Sequence, residues 1–227
     1  FLGQQTVLVD VNPGPAAVAA GLRQATERLG CDLVVFIDVG GDVLARGDEP
    51  GLRSPLCDAL MLAAAARLDQ AGVPVLAGVF GIGCDAELTP SEVLVRLAEV
   101  ASAGGLCGAR GLTEPVAERL EAAIELVPTE ASAQAVRAFR GASGITEIRG
   151  GTRAVELTSI AALTLYLEVG AMVDATGELA RVVDGARSLE EANAALHGIG
   201  VRTELDLERN AESPGYRLES PLAPNPR

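Results

Sequence analysis

The sequence predicts an α/β fold: a mostly parallel, Rossmann-like open sheet flanked by helices, with a smaller β-containing C-terminal portion. Three observations carry this. Two short runs, Leu33–Val39 and Val73–Phe80, are apolar on both faces, as buried parallel strands are. Each run ends in glycines and carboxylates and is followed by a segment of helical period, which implies right-handed crossovers. At 227 residues, 48% apolar and a mean hydropathy of +0.28, the chain can bury one sizeable core.

The elements follow in order. Thr6-Val7-Leu8-Val9-Asp10-Val11 reads as a first strand, and Asn12-Pro13-Gly14-Pro15 turns the chain into a helix over Ala16–Leu29. Strand Leu33–Val39 leads into an acidic, Gly-rich loop, then a long apolar helix over Pro55–Ala71. After strand Val73–Phe80, Thr89-Pro90-Ser91-Glu92 opens another helix with an N-cap, a proline at N1 and an acidic first turn. Two helices fill Glu114–Phe139, separated by Val127-Pro128-Thr129, with Thr129 as an N-cap. Arg140–Arg153 is rich in Arg and Gly, Ala154–Leu157 and Leu163–Glu168 read as strands, and Ser188–His197 as a late helix. Thr203–Arg209 is the last element, before a Pro-rich tail expected on the surface. This is one α/β domain over 1–227, with 140–227 completing the sheet or forming a small subdomain. Because the chain starts at Phe1, a native N-terminal segment carrying an earlier Gly-rich loop is expected to precede it.

Composition removes whole classes of function. A net charge of −13 and a pI near 4.5 oppose nucleic acid and anionic membrane surfaces as partners. No apolar run reaches a membrane span of about 18 residues, and no basic signal-peptide start is present, so the expected compartment is the cytoplasm. All 18 basic residues are Arg, which excludes a Schiff-base lysine, pyridoxal phosphate and a Walker A lysine within the chain. Haem is not expected either. The single histidine, His197, would have to build any triad or zinc site alone, and it reads as a helix C-terminal residue. Cys31, Cys57, Cys84 and Cys107 are too widely spaced for a paired-cysteine motif and read as mostly reduced, buried thiols; Cys84 stands out because it lies in a Gly-rich turn. Gly81-Ile82-Gly83 is half of a dinucleotide fingerprint, but Ala86 occupies the third glycine position and Asp85 and Glu87 would repel a pyrophosphate.

What remains is a pair of acidic loops. Asp38-Val39-Gly40-Gly41-Asp42, with Asp48 and Glu49 beyond it, follows the first buried run; Gly81-Ile82-Gly83-Cys84-Asp85-Ala86-Glu87 follows the second. In a parallel sheet both emerge at the carboxyl edge, where ligands bind, and Asp10 would join them from the first strand. Asp38, Asp42, Asp85 and Glu87 are hard oxygen ligands suited to Mg2+ or Mn2+, with Asp42 and Asp85 as the candidate catalytic carboxylates. Gly40, Gly41 and Gly83 let backbone approach a ligand closely, and Arg149 and Arg153 could grip an anion. The plain alternatives are turns with Asx capping, and a hairpin whose arginines pair with surface acids.

The segments D-V-G-G-D-V-L-A-R-G-D-E-P-G-L-R-S-P-L-C-D-A, G-I-G-C-D-A-E-L-T, R-G-G-T-R-A-V-E-L-T and T-E-L-D-L-E-R resemble domain-of-unknown-function family 1152 over most of the chain. The first two carry nearly all of the specificity. The resemblance implies a bacterial or archaeal protein, a compact α/β fold with an acidic Gly-rich site, and an N-terminal Gly-rich, Asp-containing loop outside this sequence. It carries no reaction. The leading expectation is an enzyme acting on a small phosphorylated or carboxylated metabolite with Mg2+ or Mn2+, through hydrolysis, transfer or lyase chemistry. The alternative is a non-catalytic metabolite-binding or regulatory protein using the same residues, and a third reading is a scaffold with merely solvated acidic turns. The expected partner is a small metabolite; a homo-oligomer is left open.

Overall fold

The computed structural model describes residues 3–211. Its main sheet holds β1 (Val34–Val39), β2 (Val75–Phe80), β3 (Leu106–Gly111) and β6 (Leu163–Leu167) in the order β1-β2-β6-β3. β1 and β2 are parallel neighbours, Val34 opposite Val75 through Val39 opposite Phe80. β6 is antiparallel to both of its neighbours, so the sheet is mixed and the mostly parallel, Rossmann-like expectation is corrected. The cause lies in the connection. The chain leaves β3, forms α4 (Glu114–Leu126), α5 (Glu130–Phe139) and a hairpin of β4 (Gly144–Ile148) with β5 (Arg153–Leu157), then re-enters the sheet through the short turn Ser159–Ala162. The Leu112 amide donates to Ala162 O, and Gly81 N–H reaches Leu163 O, so re-entry happens at the carboxyl edge and β6 must run backwards.

The expected strand Thr6–Val11 does not form. Leu8 is 99% exposed and Val7 51%, and Asp10 is turned onto Asn12, accepting its backbone N–H and side-chain amide. A strand-like pattern buries nothing without a neighbouring strand. β3 lies in a stretch whose Gly108 and Arg110 mask its character, and its pairing to β6 is irregular between Leu106 and Gly108. In the C-terminal portion β6 joins the main sheet, and the β4–β5 hairpin is a separate two-stranded sheet.

The helices expected over 16–29, 55–71, 114–139 and 188–197 form, and so does the one opened by Thr89; two further helices, over Val169–Thr176 and Glu178–Val183, were not expected. α1 (Pro15–Leu29) and α2 (Pro55–Gln70) each begin with a proline in the first turn. α2 is buried nearly all round by its Leu and Ala residues, packing against β1 and β2 and against α1, α6 (Val169–Thr176), α7 (Glu178–Val183) and α8 (Leu189–Gly198). α3 (Pro90–Ser102) opens with a full capping box between Thr89 and Glu92. The last helix, α9 (Glu204–Ala211), sends the Glu204 carboxylate to the amides of Leu56 and Cys57 in the first turn of α2. A smaller cluster of Phe80, Cys84, Ala135, Ile148, Val155 and Leu157 seats the hairpin over the end of β2. Among the described residues, no helix is long and apolar enough to cross a membrane.

Candidate functional site

The two acidic loops leave adjacent parallel strands and are stitched together. Gly40 N–H donates to Phe80 O at 2.9 Å, and Gly83 N–H donates to Gly40 O at 2.7 Å. Gly40 and Gly41 have φ of 133° and 114°, and a Cβ on Gly40 would stand 2.2 Å from Asp85 Cγ. Residue 40 is glycine because the Asp85 carboxylate occupies the space of its missing side chain. Gly83 (φ 74°) packs on Pro90 at the entry to α3.

These contacts place the carboxylates. Asp38, next to last in β1, accepts the Gly41 amide at 2.7 Å, and Asp42 opens the one-turn 3-10 helix Asp42–Leu44. Asp58 projects from the first turn of α2. One oxygen each of Asp38, Asp42 and Asp58 lie within 4.8 Å of one another, and so do one each of Asp42, Asp85 and Glu87. Asp42 belongs to both groups. The expected quartet of Asp38, Asp42, Asp85 and Glu87 is thus gathered around Asp42, with Asp58 as a fifth member. Asp58 was not read from the sequence; its signal was a lone carboxylate near the start of an otherwise apolar helix.

Their environment is unfavourable to charge. Burial first, then mutual repulsion, raises Asp38, Asp42 and Asp58 well above the usual carboxylate range, and Asp85 to about 6. Asp42 and Asp85 are each 7% exposed, and Asp85 Oδ2 is buried with no hydrogen-bond donor among the described residues. Glu87, 4% exposed, is different: it accepts the amides of Arg53 and Ser54, the Ser54 hydroxyl, and Arg153 at 3.3 Å. Glu49, equally buried, accepts the amides of Arg46 and Gly47 and pairs with Arg96.

The arginines divide. Arg153 reaches the cluster through Glu87, while Arg149 pairs with Glu130 at 3.5 Å and its backbone amide donates to the same carboxylate. Arg53 and Arg202 join Arg153: the Arg53 guanidinium is lowered by burial and by the charges of both. Sequence reading did not single out either residue. Asp10 stays with Asn12, outside the two carboxylate groups. Burial lifts the Cys84 thiol to about 12, as for a core thiol, whereas Cys31, Cys57 and Cys107 are exposed, against the expectation of buried thiols. His197 contacts Asp206 at 2.7 Å between α8 and α9.

A groove of about 400 Å3 leads to the cluster from the β1 side of the sheet, lined by Phe36, Val43, Met61 and Met172 and ending at Asp38, Cys57 and Asp58. The fold and site together define a mixed α/β protein with an acidic, Gly-rich centre where two parallel strands end. The chain belongs to the DUF1152 family, described as proteins of unknown function, whose model matches residues 1–212. No curated protein and no solved structure matches it.

Proposed function

We propose that this protein is a divalent-cation-dependent enzyme acting on a small phosphorylated or carboxylated metabolite at the Asp42-centred cluster. The observation that carries the reading is Asp85 Oδ2, buried without a hydrogen-bond partner among the described residues, on a carboxylate grouped within 4.8 Å with Asp42 and Glu87. Oxygens spaced this way surround an ion whose metal–oxygen bonds are about 2.0 to 2.6 Å, which covers Mg2+ and Mn2+. Asp42 is the central ligand, Asp38, Asp58 and Asp85 complete the set, and Glu87 contributes while also anchoring α2. A bound cation would supply Lewis-acid polarisation and cancel substrate charge.

The chain's own residues supply the rest. Arg53, Arg153 and Arg202 place positive charge beside Glu87, suited to the anionic end of a substrate. The groove accepts an apolar body at the opposite side of the carboxylates. Asp42 and Asp85 are the carboxylates this reading assigns to the chemistry.

Calorimetric titration of Mn2+, followed by inorganic phosphate, tests this. Wild type should bind Mn2+, phosphate should bind only with the metal present, and Asp42→Asn should lose both. Phosphate binding that ignores Mn2+ would replace this reading with the non-catalytic, metabolite-binding one.

A further inference from the structure

We infer that the cluster holds two divalent cations bridged by Asp42, an inference that rests on the cation reading above. Two carboxylate triads share one member, Asp38/Asp42/Asp58 and Asp42/Asp85/Glu87, with each triad's ligand atoms within 4.8 Å. A carboxylate has two oxygens, so Asp42 can serve one ion with each. The two halves differ in access. Asp38 and Asp58 line the groove, whereas Asp85 and Glu87 are buried within the second loop.

Charge bookkeeping selects the number. Glu87 is answered by Arg153, but Asp38, Asp42, Asp58 and Asp85 take part in none of the ion pairs found among the described residues. When ionised they carry four negative charges. One dication would leave two of them to be neutralised by protons, whereas two dications balance all four. The unpartnered Asp85 Oδ2, on a side chain 93% buried, points independently to a cation in the deeper half, because no protein donor reaches that oxygen. Two ions held close by a bridging carboxylate also form the arrangement that clamps both sides of an anionic substrate.

Metal counting by equilibrium dialysis with Mn2+ tests the inference on the full chain. Wild type should retain two Mn2+ per chain. Asp58→Asn, Asp38→Asn and Asp85→Asn should each retain one, and Asp42→Asn none. Electron paramagnetic resonance of the saturated wild type should show an exchange-coupled pair, replaced in Asp58→Asn by the six-line spectrum of an isolated ion. Circular dichroism confirms folding of each variant, and Asp38→Asn carries the test if Asp58→Asn does not fold. A single ion in wild type, unchanged in Asp58→Asn and Asp38→Asn, would overturn the pair while leaving the cation reading intact. No bound Mn2+ in wild type would overturn both.

Discussion

Glu87 and Asp85 stand two residues apart in one loop, equally buried, and have opposite surroundings. Glu87 receives two amides, a hydroxyl and a guanidinium; Asp85 receives the Glu87 amide on one oxygen and no donor on the other. Glu49 in the first loop belongs with Glu87, and Asp42 with Asp85. The lesson is that burial alone does not mark a functional carboxylate. Glu49 uses its charge to fix loop backbone, and Glu87 holds the start of α2 beside its place in the second carboxylate group. The aspartates between them are left with each other, an arrangement that stability alone does not favour.

The largest expected effect comes from breaking the satisfied member. Glu87→Ala should lower stability by about 3–5 kcal/mol in urea denaturation, because Arg153 and the amides at the start of α2 lose their buried partner. A loss below about 1 kcal/mol would erase the distinction between the two carboxylates.

The next effect is a pH dependence of unusual sign. Asp85 has a folded-state pKa raised to about 6, above an unfolded value near 3.8. The folded protein therefore binds the extra proton, and its stabilising contribution is complete below about pH 4 and lost as pH rises through 6. The metal-free protein should lose about 3 kcal/mol across this window from Asp85 alone, and Mn2+ at pH 7.5 should restore it. Melting temperatures at pH 4.5 and 7.5, each with and without Mn2+, measure this. A metal-free melting temperature that rises between those pH values would contradict the cluster's electrostatics.

Asp42→Asn follows. Removing a carboxylate that burial and its neighbours disfavour as an anion should stabilise the metal-free protein by about 1–2 kcal/mol while abolishing the Mn2+-induced rise in melting temperature. The smallest effect concerns the residue that separates the pair. Ala86 has φ of 64°, a left-handed conformation that lets neighbouring carboxylates face different partners. Ala86→Gly should add about 0.5 kcal/mol and leave Mn2+ affinity unchanged.

The same pairwise reasoning shows what was legible in the sequence. Val7-Leu8-Val9-Asp10-Val11 and Val35-Phe36-Ile37-Asp38-Val39 share a pattern, yet only the second is a strand, because β2 lies beside it and none of the described residues pairs with the first. Local pattern located the two acidic loops, the capping box of Thr89 and the boundary at Pro128. Sheet direction was not legible, since it depends on where the hairpin returns the chain. Asp58, Arg53 and Arg202 reach the site from a core helix, a loop and a late segment that only tertiary packing brings near. The difference between Glu87 and Asp85 was invisible for the same reason: both read as hard ligands until their donors were placed.

The seat of Asp85 on Gly40 makes the two strand ends one mechanical part. The Gly83 N–H to Gly40 O bond closes the joint, and the Asp85 carboxylate is its wedge. Whatever draws Asp85 away must loosen that joint, and whatever holds it must tighten it. The Gly83 amide is therefore a built-in gauge: its hydrogen exchange should slow when the centre fills, and one methyl group at residue 40 should leave it fast in every condition.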